Sequence, residues 1–113
     1  MPFEDVLPLS PRSFYILLVL AEGEAHGYAI AQAVAAATGG SVQITPGTLY
    51  PIVRQMLADG WIAETTGTND DPRRRTYRLS PRGRRIAQAE AARLEQAIRM
   101  AHRCKLLPAS TPA

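Results

Sequence analysis

Apolar residues recur along this chain every three or four positions, the spacing of amphipathic helices, and one stretch shows it most clearly. In Thr45–Gly60 the apolar stripe consists of Leu49, Ile52, Val53, Met56 and Leu57. The opposite side is small, hydrogen-bonding and cationic, and consists of Gly47, Thr48, Tyr50, Pro51, Arg54 and Gln55. Thr45 is a candidate N-cap, Pro46 suits the first helical position and Gly60 suits a helix end. The stretch predicts a helix that packs by one face and presents the other to a polar partner.

The same periodicity predicts two helices before this one. Ser10-Pro11 begins the first, whose apolar residues nearly encircle it, so that it needs burial on more than one side. A small chain rarely provides that alone, so part of this helix, including Phe14 and Leu18, is expected to pack against a second copy. A second helix is predicted over 27–38, after a turn over 22–27.

A last helix begins after Ser80-Pro81 and is predicted to run from Arg82 to about Leu106. Its seam residues are spaced 4, 3, 4 and 3 positions apart, as in a heptad repeat. They are Ala87, Ala91, Leu94, Ile98 and Ala101. A helix of this length at the end of a small domain more often serves self-association than its own core.

Two short stretches favour strands, Trp61–Thr66 and Arg75–Leu79. Turn formers and charged residues separate them over 67–74, which predicts a hairpin with a long, basic tip. A hairpin directly after a helix-turn-helix is typical of a wing. The elements therefore predict an α+β, mainly α fold: a winged helix-turn-helix with a long C-terminal dimerisation helix.

The charge distribution adds a candidate binding surface to the predicted fold. The 113 residues have a net charge of +3, but residues 1–72 contain eight acidic residues against two arginines. Residues 73–113 contain eleven basic residues against two glutamates, and the excess begins with Arg73-Arg74-Arg75. A block of one sign beside a compact fold commonly marks a surface that faces a polyanion. We therefore expect 10–79 to be a DNA-binding domain and 80–107 a dimerisation helix, between a flexible lead-in (1–9) and a disordered tail (108–113).

The residues present argue against several other functional classes of protein. No set of residues matches a catalytic or phosphate-binding motif, and the acidic residues are scattered, so we expect neither an enzyme nor a cofactor. His102 and Cys104 have too few neighbours of metal-binding type for a metal site, and His26 is expected to be a cap or packing residue. A single cysteine fits a reducing cytoplasm. No apolar run approaches the roughly 18 residues of a membrane span.

Taken in order, several motifs resemble the PadR family of bacterial transcriptional regulators. They are His26-Gly27-Tyr28, then Gly47-Thr48-Leu49-Tyr50-Pro51, then Leu57-Ala58-Asp59-Gly60-Trp61-Ile62, then Arg74-Arg75-Thr76-Tyr77-Arg78-Leu79-Ser80. Each is weak alone, but their combination at these distances is specific and covers about residues 10–105. The length is similar to that of the short subfamily, which has a single C-terminal helix.

The resemblance implies a winged-helix homodimer that usually represses transcription by binding double-stranded DNA at a near-palindromic operator. It implies that Thr45–Gly60 enters the major groove and that the hairpin contacts the flanking DNA. Family members often respond to phenolic or drug-like molecules near the dimer interface. Some relatives use an aromatic residue of the last helix there, whereas residues 82–106 contain none.

Candidate contact residues follow from these surfaces, each beside a structural alternative. Tyr50 and Arg54 lie four apart on the polar side and are expected to contact DNA, although a solvated arginine and a packed tyrosine are the alternative. The predicted DNA-contact set is Thr45, Gly47, Thr48, Tyr50, Pro51, Arg54, Arg73, Arg74, Arg75 and Tyr77. Tyr77 is equally compatible with the core, and Pro51 with a helix that begins only near Tyr50. The rival function is a winged-helix adaptor whose basic hairpin binds an acidic protein.

Overall fold

The computed structural model describes residues 6–65 and 75–108. In chain order the elements are α1 (Pro11–Glu22), β1 (Ala25–His26), α2 (Gly27–Ala37), α3 (Pro46–Ala58), β2 (Ile62–Thr65), β3 (Thr76–Leu79) and α4 (Pro81–Arg103). The structure confirms the predicted winged helix-turn-helix with a long C-terminal helix. None of the described helices combines the length and apolar character that crossing a membrane requires.

Local capping chemistry determines where three of the four helices begin. Ser10 and Ser80 are in extended backbone, and their hydroxyls accept hydrogen bonds from the amides three residues on, at 3.1 and 3.0 Å. A proline follows each serine, in the position where its missing N–H costs nothing. At α2 the Nδ1 of His26 accepts from the Ala29 amide at 3.2 Å, which confirms His26 as a cap.

The three strands form one antiparallel sheet in the order β1-β3-β2. β2 and β3 are the predicted hairpin, called the wing below, and they pair Ile62 with Leu79 and Glu64 with Tyr77. β1 was predicted as part of a turn, and that prediction is wrong. Its two residues are extended because Ala25 pairs with Tyr77, which is about fifty positions away in the chain.

One hydrophobic core joins the helices to the sheet. Its fully buried members include Ile16, Leu17, Ile30, Val34 and Ile86. Both Tyr77 and Ala87 also belong to it, with 3% and 7% of their surfaces exposed. Both side chains therefore pack mainly in the core, which was the stated alternative for Tyr77 and was not expected for Ala87.

Gly83 fixes the position of α4 against the wing. A Cβ at this residue would collide with the backbone carbonyl of Trp61, which accepts a hydrogen bond from the Ser80 amide at 3.0 Å. The Ser80 hydroxyl also donates to the Gly60 carbonyl at 2.6 Å. The end of α3, the start of β2 and the start of α4 therefore form one tight junction that sets the wing beside α3.

Beyond this junction α4 extends past the core. Its buried residues, Gly83, Ile86, Ala87 and Glu90, all lie within its first ten positions. Farther along, Ile98 is 46% exposed and Met100 58% exposed. The radius of gyration is 15.5 Å, whereas a compact chain of this length has about 13 Å. The second half of α4 is therefore amphipathic and leaves these apolar side chains exposed beyond the core.

Candidate DNA interface

The helix α3 divides into a buried face and an exposed one. Leu49, Val53 and Met56 are buried against the core, while Ile52 and Leu57 are half-buried. The predicted contact residues lie on the other side: Thr45, Gly47, Pro51 and Arg54 are exposed, and Thr48 and Tyr50 are half-buried. The structure thus brings the polar residues of this helix onto one accessible surface.

Two residues of this surface, Gly47 and Pro51, are poor helix formers. Pro51 lies inside α3, which begins at Pro46, so the alternative that the helix starts near Tyr50 is wrong. A proline there deprives the Gly47 carbonyl of its usual amide donor. A Cβ at Gly47 would meet no neighbour closer than the Thr45 hydroxyl at 4.0 Å. Within residues 6–65 and 75–108, therefore, no close contact at this position requires a glycine.

The start of α3 differs from the other helix starts in its capping. Thr45 occupies the N-cap position in extended backbone, but its side chain accepts no hydrogen bond from a backbone amide. Its hydroxyl instead lies 3.1 Å from that of Thr48. The predicted N-cap position is therefore confirmed, but the side-chain hydrogen bond that usually accompanies it is not made. Two hydroxyls are left together at the positive end of the helix, where anions are stabilised.

α3 and the wing together form a basic groove. Tyr50 and Arg54 line it from α3, Arg75 lines it from the wing, and its volume is about 270 Å³. The Nε of Arg75 is 3.3 Å from a carboxylate oxygen of Glu64, and the Arg75 side chain remains 48% exposed. Arg73 and Arg74 lie outside the described residues.

Tyr77 forms the floor of the basic groove. Burial raises the pKa of its phenol above the ordinary 10.0, and the Glu64 carboxylate contributes in the same direction. The phenol is therefore neutral at every physiological pH. Tyr77 lines the groove with only 3% of its surface exposed, so most of its contacts are with the core.

A second groove lies between α1 and α4 on another part of the molecule. Three residues predicted to form a dimer interface, Phe14, Leu18 and Leu94, line it together, and its volume is about 270 Å³. Farther along α4, Ala91 and Ile98 are exposed and Ala101 is half-buried. Six of the seven predicted dimer residues are thus accessible, and Ala87 is the exception.

The edge of this α1–α4 groove contains an ion pair that was not predicted. Glu90 is only 2% exposed, and its carboxylate accepts hydrogen bonds from Arg93 at 2.6 and 3.2 Å and from the Leu9 amide at 3.0 Å. The bond from Arg93, with a smaller contribution from Leu9, lowers the pKa of Glu90 below 4.5 and raises that of Arg93. The one sequence signal was a glutamate on the apolar face of α4, three residues before an arginine.

Metal binding has no support in the part of the chain that the structure describes. Within 6–65 and 75–108, no three histidine, cysteine or acidic side chains lie close enough together to hold an ion. Cys104 is a free, exposed thiol just after α4.

Comparison with known proteins gives this architecture a family. The model of the transcriptional regulator PadR-like family matches residues 16–89, well over half of the chain. The chain is also 32% identical to the transcriptional regulator Rv3488 of Mycobacterium tuberculosis over 85 residues, which are 75% of this chain and 77% of that protein. The chain belongs to the PadR-like family of transcriptional regulators.

Solved structures agree with the assignment. A transcriptional regulator from Clostridium thermocellum matches this PadR-like chain with a TM-score of 0.69 and 25% identity, covering 81% of this chain and 87% of that one. A PadR-like transcription factor from Bacteroides fragilis matches with a TM-score of 0.67 and 20% identity over the same shares, which is a similarity of fold. The family resemblance inferred from the motifs is confirmed.

Proposed function

We propose that this PadR-like regulator binds double-stranded DNA sequence-specifically, with α3 in the major groove and the wing on the flanking backbone, and represses transcription from its operator. The observation that carries the proposal is the basic groove. It combines an exposed arginine from α3 with one from the wing, on a helix whose polar side is open to solvent.

The chemistry of each residue matches a part of DNA. Arg54 has the planar donor pair that reads guanine in the major groove, and the hydroxyls of Thr45, Thr48 and Tyr50 suit phosphate oxygens. Arg75 is paired with Glu64, but an ion pair this exposed contributes only about 0–1 kcal/mol. A DNA phosphate can therefore replace Glu64 at little cost. Arg73 and Arg74 remain predicted phosphate contacts.

A homodimer would explain the apolar surface on α1 and α4. The α1–α4 groove exposes apolar side chains, and the heptad seam continues from it through Ala91 to Ile98. A second copy of the chain, related by a two-fold axis, would cover both. Two recognition helices about one helical turn apart, roughly 34 Å, would then read a near-palindromic operator.

An effector near this interface is part of the proposal. α4 supplies no aromatic residue, but Phe14 and Tyr15 of α1 both line the α1–α4 groove. A small molecule that packs on these rings would act where the two copies meet and would release the repressor. Because the target is chromosomal DNA, we place the regulator in the cytoplasm.

The test uses a fluorescently labelled duplex from the region upstream of the protein's own gene. Fluorescence anisotropy measures its affinity for the protein over a range of salt concentrations. We expect Arg75→Ala to weaken binding to operator and to unrelated duplexes alike and to reduce the salt slope by about 1, because one phosphate contact is lost. The matched control is Arg99→Ala. Arg99 is also an exposed arginine in an ion pair, with Glu95 at 2.9 Å, but it lies far along α4.

Equal salt slopes for Arg75→Ala and wild type would remove the wing from the DNA interface. If the wild type bound all duplexes weakly and lost them to unlabelled competitor DNA, the adaptor function would replace the repressor.

A further inference from the structure

A large apolar cleft lies between the starts of α2 and α3, away from the α1–α4 groove. Its volume is about 580 Å³, more than twice that of the basic groove or the α1–α4 groove. Gly27 and Leu49 lie at its base, Ile44 lines its wall, and the rings of Tyr28 and Tyr50 line its sides. We call it the α2–α3 cleft.

The base of the cleft is held closed by contact between the two helices. A methyl group added at Gly27 would lie 3.1 Å from Leu49 Cδ2 and 3.5 Å from the Tyr50 hydroxyl. α2 and α3 therefore approach each other at Gly27, where there is no side chain to separate them. The cleft lies beside this contact and is lined by residues of both helices.

The polar groups of the cleft are few and uncharged. The Tyr28 hydroxyl accepts a hydrogen bond from Gln32 Nε2 at 2.9 Å, which holds a ring that is 66% exposed. His26 uses Nδ1 to accept from the Ala29 amide, so its other nitrogen, Nε2, carries the donor proton of the neutral ring. Among the residues that the structure describes, no lysine, arginine or carboxylate lines the cleft.

The volume and lining of the cleft indicate which class of ligand it can bind. The volume lies within the range of about 300–1,000 Å³ found for sites that bind drug-sized molecules, and such sites are apolar with a few fixed polar groups. A protein helix is about 10–12 Å across, so this volume would hold only about one turn of it. The uncharged lining excludes a strongly ionic ligand. Two tyrosine rings favour a flat aromatic partner that can stack on them.

We infer that the α2–α3 cleft is a binding site for a neutral, planar aromatic small molecule and that its occupant opposes DNA binding. The second part rests on the proposed DNA interface. Tyr50 lines both the cleft and the basic groove, so a ligand stacked on its ring changes the position of a group that faces DNA. Coupling of this kind is reciprocal, and DNA weakens the ligand as the ligand weakens DNA.

The first experiment needs no DNA and uses Nile red, a neutral planar dye that fluoresces in apolar surroundings. We expect the full chain to bind it saturably and Ala31→Phe to weaken binding at least about tenfold, because residue 31 lines the cleft and the added ring fills it. The control is Ala36→Phe, which adds the same ring to an exposed position of α2 outside the cleft. On the wild type, the NMR signals of the Tyr28 and Tyr50 rings should shift on dye addition.

No saturable dye binding, or binding that leaves both tyrosine signals unmoved, would overturn the site. Equal affinities for the two phenylalanine variants would do the same. The second experiment measures operator affinity with and without saturating dye. We expect the dye to lower the operator affinity of the wild type at least about fivefold and to leave the operator affinity of Ala31→Phe unchanged. An unchanged wild-type affinity would overturn the coupling, whereas a protein that binds no operator would refute the proposed function and leave the dye result standing.

Discussion

Replacing Gly47 by alanine separates the stability of α3 from its function. Gly47 is the second residue of the helix and is exposed, and a Cβ there meets no described residue closer than 4.0 Å. Glycine is about 1 kcal/mol less favourable than alanine inside a helix. Because the position is in the first turn, we expect about half of that, so Gly47→Ala should raise the free energy of unfolding by about 0.5 kcal/mol.

Affinity for the operator should change in the opposite direction. If the glycine is present because DNA approaches the backbone there, a methyl group would separate the two surfaces. The loss of binding free energy should be comparable to that from one mismatched base pair, about 1–3 kcal/mol, which raises the dissociation constant about five- to 150-fold. Stability should therefore rise while affinity falls, a combination that a damaged fold cannot produce.

Urea denaturation at a fixed protein concentration and operator anisotropy would measure the two effects. The control is Gly23→Ala, which adds the same methyl group in open space at the end of α1. It should leave operator affinity unchanged. Loss of stability in Gly47→Ala would show that the helix start has an internal packing constraint. Unchanged affinity would refute the argument that DNA comes close to Gly47.

Three further changes test the remaining parts of the structure. Arg54→Ala should lower the preference for one operator base pair by about 1–3 kcal/mol, measured on single-base operator variants, and a uniform loss on all duplexes would make it a backbone contact. Glu90→Gln should lower the free energy of unfolding by about 1–3 kcal/mol at neutral pH. The pKa of Glu90 is lower in the folded state than in the unfolded state, so its stabilisation is fully present above the unfolded-state pKa and is lost as the pH falls through the folded-state pKa. The free energies of unfolding of wild type and variant, measured by urea titration, should therefore converge in acid well below pH 4.5. A difference that stays constant with pH would contradict this. Ile98→Asp should convert a dimer to a monomer in size-exclusion chromatography at micromolar concentration, while Gln96→Asp, also exposed on α4, should not; a wild-type monomer would refute the two-fold model.

The polar surface of α3 was predictable because helical spacing places residues on faces without reference to the rest of the fold. Arg54 and Gly47 are exposed as the pattern indicated. Thr45 shows the limit of that reasoning. Its residue type suits a cap and its backbone matches that of Ser80, yet its hydroxyl contacts Thr48 and not an amide, so residue type alone does not choose between two local hydrogen bonds.

The starts of α1 and α4 were determined by the sequence alone, because a serine followed by proline satisfies orphan amides within three residues. β1 has two residues and no strand signal, and it exists because Tyr77 of β3 lies beside it. Tertiary packing also buries the Tyr77 ring and Ala87 in the core. Alternation and heptad spacing say which residues share a face, but only contacts between distant segments decide which face meets the core and which is left for a partner.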